Sequence, residues 1–210
     1  MKLYMFPVAP NPTKVRLYLA EKRAAGRPVE LEEVTVDLPK GEQNDEAFKQ
    51  INPMGALPVL ETDAGTVIHE SLPIIEFFED LHPEPSLWGS DPEARAIARQ
   101  LERIADLGIL MPVARRIHAT NSPLGLPPDP VLAAYHEKAA VRNFEYLERI
   151  LADDRPFLAG DRPTVADCTL AAGLQFARFR ELSVLEPYPR LTAWDARYRE
   201  REPARSVLVL

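Results

Sequence analysis

The hydrophobic pattern of this chain changes character near residue 83, and that change constrains the fold more than any other feature. Before it, strand-like and helix-like segments alternate in the order β-α-β, α, β-β-α. Beyond it, the apolar residues recur at helical spacing, after a proline-rich stretch that is typical of a linker. The pattern therefore predicts an α/β domain over residues 1–82, a linker over 83–90 and an all-helical domain over 91–210.

The α/β part is predicted to contain a small sheet and short helices. Strands are expected at residues 2–6, 29–36, 57–61 and 66–69, and helices at 12–25, 45–51 and 71–81. The last two strands read as a hairpin around Asp63, Ala64 and Gly65. Asn11 and Ser71 stand where helix N-cap residues are favoured, so each is expected to cap the helix that follows it.

The helical part is predicted to begin with one long helix over residues 91–118. Gly108 and Pro112 should kink it, because Pro112 cannot donate to the carbonyl four residues back. A proline-rich turn over 121–130 leads to a second long helix over 130–151. The inner stripe of this second helix is expected to contain Leu132, Tyr135, Ala139, Phe144, Leu147 and Leu151.

A later helix is predicted to begin at a capping box formed by Thr164 and Asp167. The residues that follow are apolar nearly all round, which indicates a helix buried on all sides. Cys168 lies in this segment, so we expect a packed core thiol rather than a reactive one.

Charge and composition argue against several classes of function. The formal net charge is −7 and the sequence pI is near 5.2, so we expect no nucleic-acid partner. The sequence has no apolar run long enough for a membrane span and no signal peptide, so we expect a cytoplasmic protein without a membrane partner. A single cysteine excludes an internal disulfide, and the four histidines are scattered singly, so no metal site is expected.

Three short stretches could together bind a small peptide-like ligand. The helix that starts at Asn11 presents N–H groups and a dipole that favour an anion. Pro58 within a strand pattern predicts a strand with a free edge. A cis bond after Leu57 would turn the backbone toward an extended peptide, and the pattern alone leaves the isomer open. Ser71 could hold a carboxylate while Glu70 pairs with an ammonium.

Taken in order, these residues resemble the cytosolic glutathione transferase family. The matching stretches are P-N-P-x-K-V (10–15), V-D-L-P-K-G-E-Q (36–43), I-N-P-M-G-A-L-P-V-L (51–60), H-E-S (69–71) and F-L-A-G-D-R-P-T-V-A-D-C (157–168). The K-G-x-Q loop is similar to the bacterial nu class and the fungal prion-like branch. The resemblance implies an α/β thioredoxin-like N-terminal domain followed by an all-α C-terminal helical domain, with homodimers as the usual assembly.

The resemblance also implies roles for individual residues. Glu70 and Ser71 would hold the γ-glutamyl end of glutathione, the co-substrate. Leu57, before a cis Pro58, would pair its backbone with the cysteinyl residue. The other implied assignments are Lys40 and Gln43 at the glycyl end, Met111 and Arg115 in the second-substrate pocket, and Asp106 at an interface or in support of the site.

One departure from the family pattern bears on the mechanism. Many relatives place Ser, Thr, Tyr or Cys near the glutathione sulfur, whereas this chain has Ala9 and Pro10, so a mixed disulfide on the protein is disfavoured. In the nu-like branch an asparagine is associated with the sulfur, and Asn11 matches it. Lowering a thiol pKa from about 8.5 toward 6.5 requires roughly 2.7 kcal/mol. A helix N-terminus at about 0.3–1 kcal/mol and a hydrogen bond to the charged sulfur at about 1.5–3 kcal/mol supply that.

Three functions remain open at this point. The first is a glutathione S-transferase of the detoxification type, which adds the thiolate to a small, largely apolar electrophile. The second is a glutathione-dependent disulfide reductase or peroxidase, favoured by the nu-like loop and the missing hydroxyl. The third is a non-catalytic glutathione-binding module, suggested by Ala9.

Overall fold

The computed structural model describes residues 1–209, and its N-terminal part is built on one four-stranded sheet. The strands are Lys2–Met5 (β1), Glu32–Thr35 (β2), Val59–Glu61 (β3) and Val67–His69 (β4), in the spatial order β2-β1-β3-β4. β1 and β2 are parallel, whereas β3 is antiparallel to both β1 and β4. The helices that connect them are Pro10–Ala24 (α1), Glu46–Lys49 (α2) and Ser71–Leu81 (α3). A parallel pair extended by an antiparallel hairpin is the thioredoxin-like arrangement that was predicted.

The second strand is shorter than its sequence pattern predicted. Only Glu32–Thr35 pairs with β1, because β1 is itself only four residues long. Val29 and Val36 lie outside the strand but are buried, at 8% and 6% exposure. The apolar pattern over 29–36 therefore marked the buried residues correctly and overestimated the length of the strand.

Helix α1 begins at Pro10, two residues before the predicted start at 12. Its N-cap is Ala9, and Asn11 occupies the second helical position, so the prediction that Asn11 caps this helix was wrong. The reason is local. The φ angle of proline suits the first helical position, and the Ala9 N–H donates to the Phe6 carbonyl at 3.1 Å, which closes the turn out of β1.

Pro58 does not lie on an edge strand, contrary to the prediction. The strand that follows it, β3, is flanked by β1 on one side and β4 on the other. Pro58 precedes the first paired residue, Val59, so its missing N–H removes no bond from the ladder. The Leu57–Pro58 peptide bond is cis, as the resemblance implied.

The second part of the described chain is helical. Its helices are Pro92–Ala105 (α4), Met111–Thr120 (α5), Pro130–Ile150 (α6), Val165–Phe179 (α7), Pro189–Arg199 (α8) and Glu202–Val207 (α9). Residues 82–91, which lead into α4, contain Leu87 and Trp88, both nearly fully buried. This connection is therefore packed against the core rather than extended into solvent.

The long helix predicted over residues 91–118 is interrupted, and the interruption takes the form of a π-helical turn. This turn, Asp106–Leu110, separates α4 from α5. Gly108 lies in it, and a Cβ at this position would stand 2.4 Å from Cγ of Asn143 on α6. Glycine thus leaves room for the Asn143 side chain, and Pro112 follows in the first turn of α5.

The inner stripe of α6 was predicted correctly at its C-terminal end and wrongly at its start. The buried residues of α6 are Ala133, His136, Ala140, Phe144 and Leu147, and Leu151 is buried just after the helix. Leu132 and Tyr135 are 44% and 67% exposed, so the inward face lies one residue further along than predicted. Helix α5 packs closely against α6, and small side chains such as Ala133 and Ala140 allow that approach.

A capping box opens α7, as predicted. The Asp167 carboxylate accepts from the Thr164 N–H at 2.8 Å and from the Thr164 hydroxyl at 3.0 Å. Nearly every residue of α7 is buried, and Cys168 is fully buried, so the expected core thiol is confirmed.

The two parts of the chain share one hydrophobic core. Helix α1 packs on α7 and α9, and a single cluster of buried apolar residues runs from the sheet into the helical part. Within residues 1–209, no helix has the length and apolarity needed to cross a membrane. The same residues contain no cluster of three His, Cys, Asp or Glu side chains suited to a metal ion.

Candidate functional site

The first turn of α1 offers few hydrogen-bond donors. The prolines at positions 10 and 12 carry no N–H. The Ala9 N–H is bonded to the Phe6 carbonyl at 3.1 Å, and the Thr13 N–H to the Ala9 carbonyl at 3.0 Å. Among the residues that the structure describes, Asn11 therefore has the one backbone N–H of this turn without an acceptor. The side-chain amide of Asn11 adds two further donors.

Asn11 meets the start of α3. The Ser71 hydroxyl donates to Oδ1 of Asn11 at 3.4 Å, so two residues that are 60 positions apart and were both assigned to the site lie together. Ser71 is buried and is the first residue of α3, and the N-cap is Glu70, so the prediction that Ser71 caps the helix was wrong. Glu70 has a φ of 71°, in a region that non-glycine residues rarely adopt. Such backbone strain concentrates at functional sites.

The loop before β3 lies against the turn that carries Gln43. A Cβ at Gly55, where φ is +61°, would stand 3.0 Å from the Gln43 carbonyl oxygen, so glycine permits the contact. Oε1 of Gln43 is buried and has no hydrogen-bond partner within the described chain, which leaves an acceptor for an incoming donor. Lys40 is exposed and pairs with Asp37 at 2.8 Å. Such an exposed pair contributes about 0–1 kcal/mol, so it can exchange partners easily.

A cavity of about 100 Å³ lies between the start of α1 and the helical part. Its lining residues are Phe6, Val8, Ala9, Pro10, Leu38 and Pro39 from the first part, and His118, Pro123, Leu124, Phe176 and Phe179 from the second. His118 is the one titratable side chain in this lining. The cavity is therefore an apolar space that adjoins Ala9 and carries a single polar group on its far wall.

His118 is held in place by two contacts. Its Nδ1 lies 2.9 Å from Oγ of Ser122, and its ring centroid lies 6.0 Å from that of Phe176. Burial lowers the pKa of His118 below its ordinary value of 6.5. The imidazole is therefore neutral at pH 7, the state in which it can accept a proton. In the sequence His118 is one of four scattered histidines, and no local pattern distinguishes it, because its contacts come from a following loop and from α7.

Met111 and Arg115, which were assigned to the second-substrate pocket, do not line this cavity. Met111 is half-buried against the core at the start of α5. Arg115 lines a neighbouring open groove of about 920 Å³, which also includes His118 in its lining. Helix α5 meets the cavity with its last turn, so His118 reaches it and residues nearer the start of the helix do not.

A buried ion-pair cluster joins α1 to the helical part behind the site. The fully buried Lys14 places Nζ 3.2 Å from Oε1 of Glu102 and 3.3 Å from Oδ2 of Asp106. Arg103 contacts the same two carboxylates at 3.3 and 3.0 Å, so two positive and two negative groups balance. Asp106 thus lies at the contact between the two parts of the chain.

Comparison with protein-family models matches both parts of the chain. Residues 3–86 match the glutathione S-transferase N-terminal domain, and residues 96–197 match the glutathione S-transferase C-terminal domain.

Comparison with individual proteins gives relatives that span nearly the whole chain. Glutathione S-transferase 2 of Saccharomyces cerevisiae is 33% identical over 216 residues, covering 99% of this chain and 89% of that protein. Maleylpyruvate isomerase of a Ralstonia species is 33% identical over 199 residues, covering 93% and 91%. The crystal structure of a glutathione S-transferase domain-containing protein from Marinobacter aquaeolei has a TM-score of 0.86 at 35% identity, covering 97% of this chain and 100% of that one.

Proposed function

Since this chain belongs to the cytosolic glutathione transferase family, we propose that it transfers the thiolate of glutathione to a small, largely apolar electrophile. The observation that carries the proposal is the cavity beside Ala9, with apolar walls and a single polar group, His118. Glutathione serves as co-substrate and nucleophile, so the protein needs no nucleophile of its own. The cytoplasm, where glutathione is kept reduced, is the compartment that this activity would require.

The proposed glutathione site begins where α3 meets α1. The exposed carboxylate of Glu70 pairs with the ammonium of the γ-glutamyl unit. The carboxylate of the γ-glutamyl unit accepts from the N–H groups at the start of α3 and from the Ser71 hydroxyl, which gives up its long bond to Oδ1 of Asn11. The backbone of Leu57, before the cis Pro58, pairs with the cysteinyl unit in the manner of an added strand. These assignments place the thiol near the start of α1, where the donors of Asn11 lie.

The glycyl end of glutathione is assigned to the turn that contains Lys40 and Gln43. The partnerless Oε1 of Gln43 can accept from an N–H of the ligand. Lys40 can leave Asp37 and pair with the glycyl carboxylate, since their surface ion pair contributes little to stability.

The thiolate is stabilised by a smaller set of donors than a helix start usually offers. Because prolines occupy positions 10 and 12, the backbone N–H and the side-chain amide of Asn11 carry this role. One hydrogen bond to the charged sulfur contributes about 1.5–3 kcal/mol, which is of the size required. His118 lines both the cavity and the open groove, so it is the proposed acceptor that passes the thiol proton to solvent.

Glutathione-dependent disulfide reduction is the second candidate function. It is favoured by Ala9, which replaces the hydroxyl that many relatives direct at the sulfur. Cys168 is fully buried, and burial raises its pKa well above the ordinary value, so a reductase cycle would use two glutathione molecules rather than a protein thiol.

Isomerisation, the activity named for the maleylpyruvate and maleylacetoacetate relatives, fits the cavity less well. Such substrates carry two carboxylates, which need positive partners when they leave water. The described lining of the cavity contains neither lysine nor arginine. An apolar electrophile matches these walls better than a dianion.

Parallel assays test the proposed function. Purified protein should conjugate glutathione to a chloronitrobenzene, and this activity should exceed glutathione-dependent reduction of hydroxyethyl disulfide and isomerisation of maleylpyruvate. Faster reduction of the disulfide would establish the second candidate instead. Glutathione binding without any of the three activities would indicate a binding module.

Asn11→Ala tests the proposed site. The substitution should raise the pKa of the bound thiol by about 1–2 units, because it removes a hydrogen bond to the charged sulfur. Asn11→Asp should raise it further, since a carboxylate repels a thiolate. Ultraviolet titration of the thiolate in the glutathione complex measures both, and an unchanged titration curve would refute the role of Asn11.

We also propose that the protein forms a homodimer. The first part of the chain and the start of the second expose large apolar side chains at Met54, Val67, Leu81 and Ile97, with exposures of 61%, 38%, 48% and 44%. Exposed apolar groups of this kind are typical of protein contact surfaces. Light scattering during size-exclusion chromatography should give twice the mass of the chain, and the mass of one chain would contradict the proposal.

A further inference from the structure

A chain of hydrogen bonds connects the C-terminal segment to the loop that precedes α1. The Val209 N–H donates to Oε1 of Gln175 at 2.8 Å. Nε2 of Gln175 then donates to the Thr13 hydroxyl at 3.4 Å, and that hydroxyl donates to the Pro7 carbonyl at 3.1 Å. Residues separated by as many as 162 positions, in α7 and α1, are thereby linked.

The two polar side chains in the middle of this connection are fully buried. Gln175 and Thr13 each have 0% exposure, and Gln175 interrupts a helix that is apolar on nearly all sides. Burying an amide without partners is costly, so the observed bonds favour one conformation of Gln175. A fixed Gln175 in turn fixes the hydroxyl of Thr13.

Thr13 holds the loop before α1 at both of its ends. Its N–H donates to the Ala9 carbonyl at 3.0 Å, and its hydroxyl donates to the Pro7 carbonyl. The residues between these two carbonyls form the wall of the cavity that adjoins the proposed sulfur position. Phe176, the neighbour of Gln175 in sequence, lies on the opposite wall, so α7 contributes to the position of both walls.

We propose that Thr13 and Gln175 are positioning residues for the glutathione-transfer reaction. They fix the Pro7–Ala9 loop so that the sulfur meets the donors of Asn11 while facing the cavity. The inference rests on the proposed function, because it assigns the loop a role only if the thiolate is formed there. Neither side chain is expected to touch glutathione; each acts through the loop.

A matched pair of substitutions at Thr13 tests the proposal. Thr13→Val keeps the shape and removes the hydroxyl, whereas Thr13→Ser keeps the hydroxyl. Because misplacement by about 1 Å can cost about 10²-fold in rate, we expect Thr13→Val to lower kcat by about 10-fold or more. It should also raise the pKa of the bound thiol. Thr13→Ser should stay close to the unmodified protein in both, and KM for glutathione should change little in either.

Gln175→Leu provides a second, independent test, which can be carried out even if Thr13→Val fails to fold. It should lower kcat and raise the thiol pKa in the same direction. Because both side chains act through one connection, the double variant should lose little more activity than either single variant. Fully additive losses would show that the two residues act separately and would overturn the proposal.

The thiolate titration separates this inference from the proposed function. If the unmodified protein binds glutathione without lowering the thiol pKa, the proposed function fails and the inference fails with it. If the unmodified protein lowers the thiol pKa, and Thr13→Val and Gln175→Leu leave it unchanged, only the positioning role is overturned. A loss of thermal stability with an unchanged pH profile would show that the contacts are merely structural.

Discussion

His118 borders two different environments. On one side lies the apolar cavity beside Ala9, and on the other the open groove that includes Arg115. Burial keeps the pKa of His118 below its ordinary value, and Ser122 holds the ring in place. A neutral imidazole between an apolar cavity and solvent is suited to proton transfer.

Substitution of His118 should therefore impair the reaction without weakening glutathione binding. We expect His118→Phe to lower kcat by about 10²-fold, the lower end of what general acid–base groups contribute. KM for glutathione should remain within about 3-fold of the unmodified value, because His118 is not part of the proposed glutathione-binding contacts. Steady-state kinetics with glutathione and the electrophile varied separately give both values.

His118→Gln serves as the control, because it keeps a polar group of similar size that cannot take up the proton. If the proton-accepting role is correct, this variant should be nearly as slow as His118→Phe. Full activity of His118→Gln would show that the site needs only a hydrogen bond at this position.

At the level of single residues, the sequence was most informative where a local rule applied. Asn11 and Ser71 were assigned to one site, and the structure brings them into contact. Their exact places in the helix starts were not predictable, because proline at the first helical position and the strained Glu70 moved each N-cap back along the chain. His118 was missed because its partners come from a following loop and from α7, which no local pattern reveals.

The capping box of α7 organises the elements around that helix as well as its first turn. Beyond its two bonds from Thr164, the Asp167 carboxylate accepts from the Leu158 N–H at 2.9 Å and from Nε1 of Trp194 at 3.3 Å. Asp167 is fully buried, and burial raises its pKa to about 6. One side chain thus ties the preceding loop and α8 to the start of α7.

Asp167→Ala should destabilise the fold much more than the loss of an ordinary N-cap. Each buried donor left without an acceptor costs about 1–3 kcal/mol, so we expect a loss of at least about 3 kcal/mol. Asp91→Ala is the matched control, because Asp91 caps α4 in an exposed setting by accepting from Glu93 and Ala94 at 3.0 and 2.9 Å. Asp91→Ala should lower the free energy of unfolding by about 1 kcal/mol. Urea unfolding at pH 7 measures this free energy for both variants, and equal losses in the two would contradict the wider role of Asp167.

The same comparison has a defined pH dependence. The folded-state pKa of Asp167, about 6, lies above the ordinary value of 3.8, so its protonated form is favoured by folding. The corresponding stability is fully present below pH 3.8 and is lost as the pH rises through 6. The stability deficit of Asp167→Ala should therefore be larger at pH 4 than at pH 7. A deficit that grows between pH 4 and pH 7 would show that the carboxylate is stabilised by folding instead.

At the level of elements, periodicity located helices well and failed where a neighbour decides the contact. The start of α6 turned its small residues inward because α5 lies close to it, which left Leu132 and Tyr135 outside. Pro58 suggested an edge strand. In the structure β3 is an inner strand, and Pro58 lies one residue before its first paired residue. Both errors concern spatial neighbours, which single-segment patterns do not encode.

On the scale of the whole molecule, α1 is the element through which the two parts are joined. It lies in the shared core and carries Lys14, whose fully buried ammonium pairs with Glu102 and Asp106. Removing one partner of a buried ion pair leaves an uncompensated charge inside the protein. The stability of the contact between the two parts should accordingly depend on the charges of Lys14, Glu102 and Asp106.

Lys14→Met should lower the free energy of unfolding by about 3–5 kcal/mol, the usual effect of breaking a buried pair. Lys40→Met, at the exposed pair with Asp37, should change it by about 0–1 kcal/mol. Adding Glu102→Gln to Lys14→Met should recover part of the loss, because it removes the uncompensated carboxylate. Chemical denaturation measures the free energy of unfolding of all three variants. A small effect of Lys14→Met would show that the buried ion pairs contribute little to the contact between the two parts.

The division of the chain into an α/β part and a helical part could be predicted, because the hydrophobic period differs between them. The pairings that join the two parts could not. Lys14 meets Glu102 across 88 positions, and Thr13 meets Gln175 across 162. Each of these residues looks like an ordinary polar position in its own segment.

The shared core has a consequence for recombination between members of this family. A crossover in residues 82–91 would exchange one part as a unit and would break no contact within either part. Helix α1, however, would then meet foreign helices, with Thr13 opposite a different residue 175 on α7 and Lys14 opposite a different residue 102 on α4. Working hybrids are thus expected where both parents carry compatible pairs at these positions, whatever their overall identity.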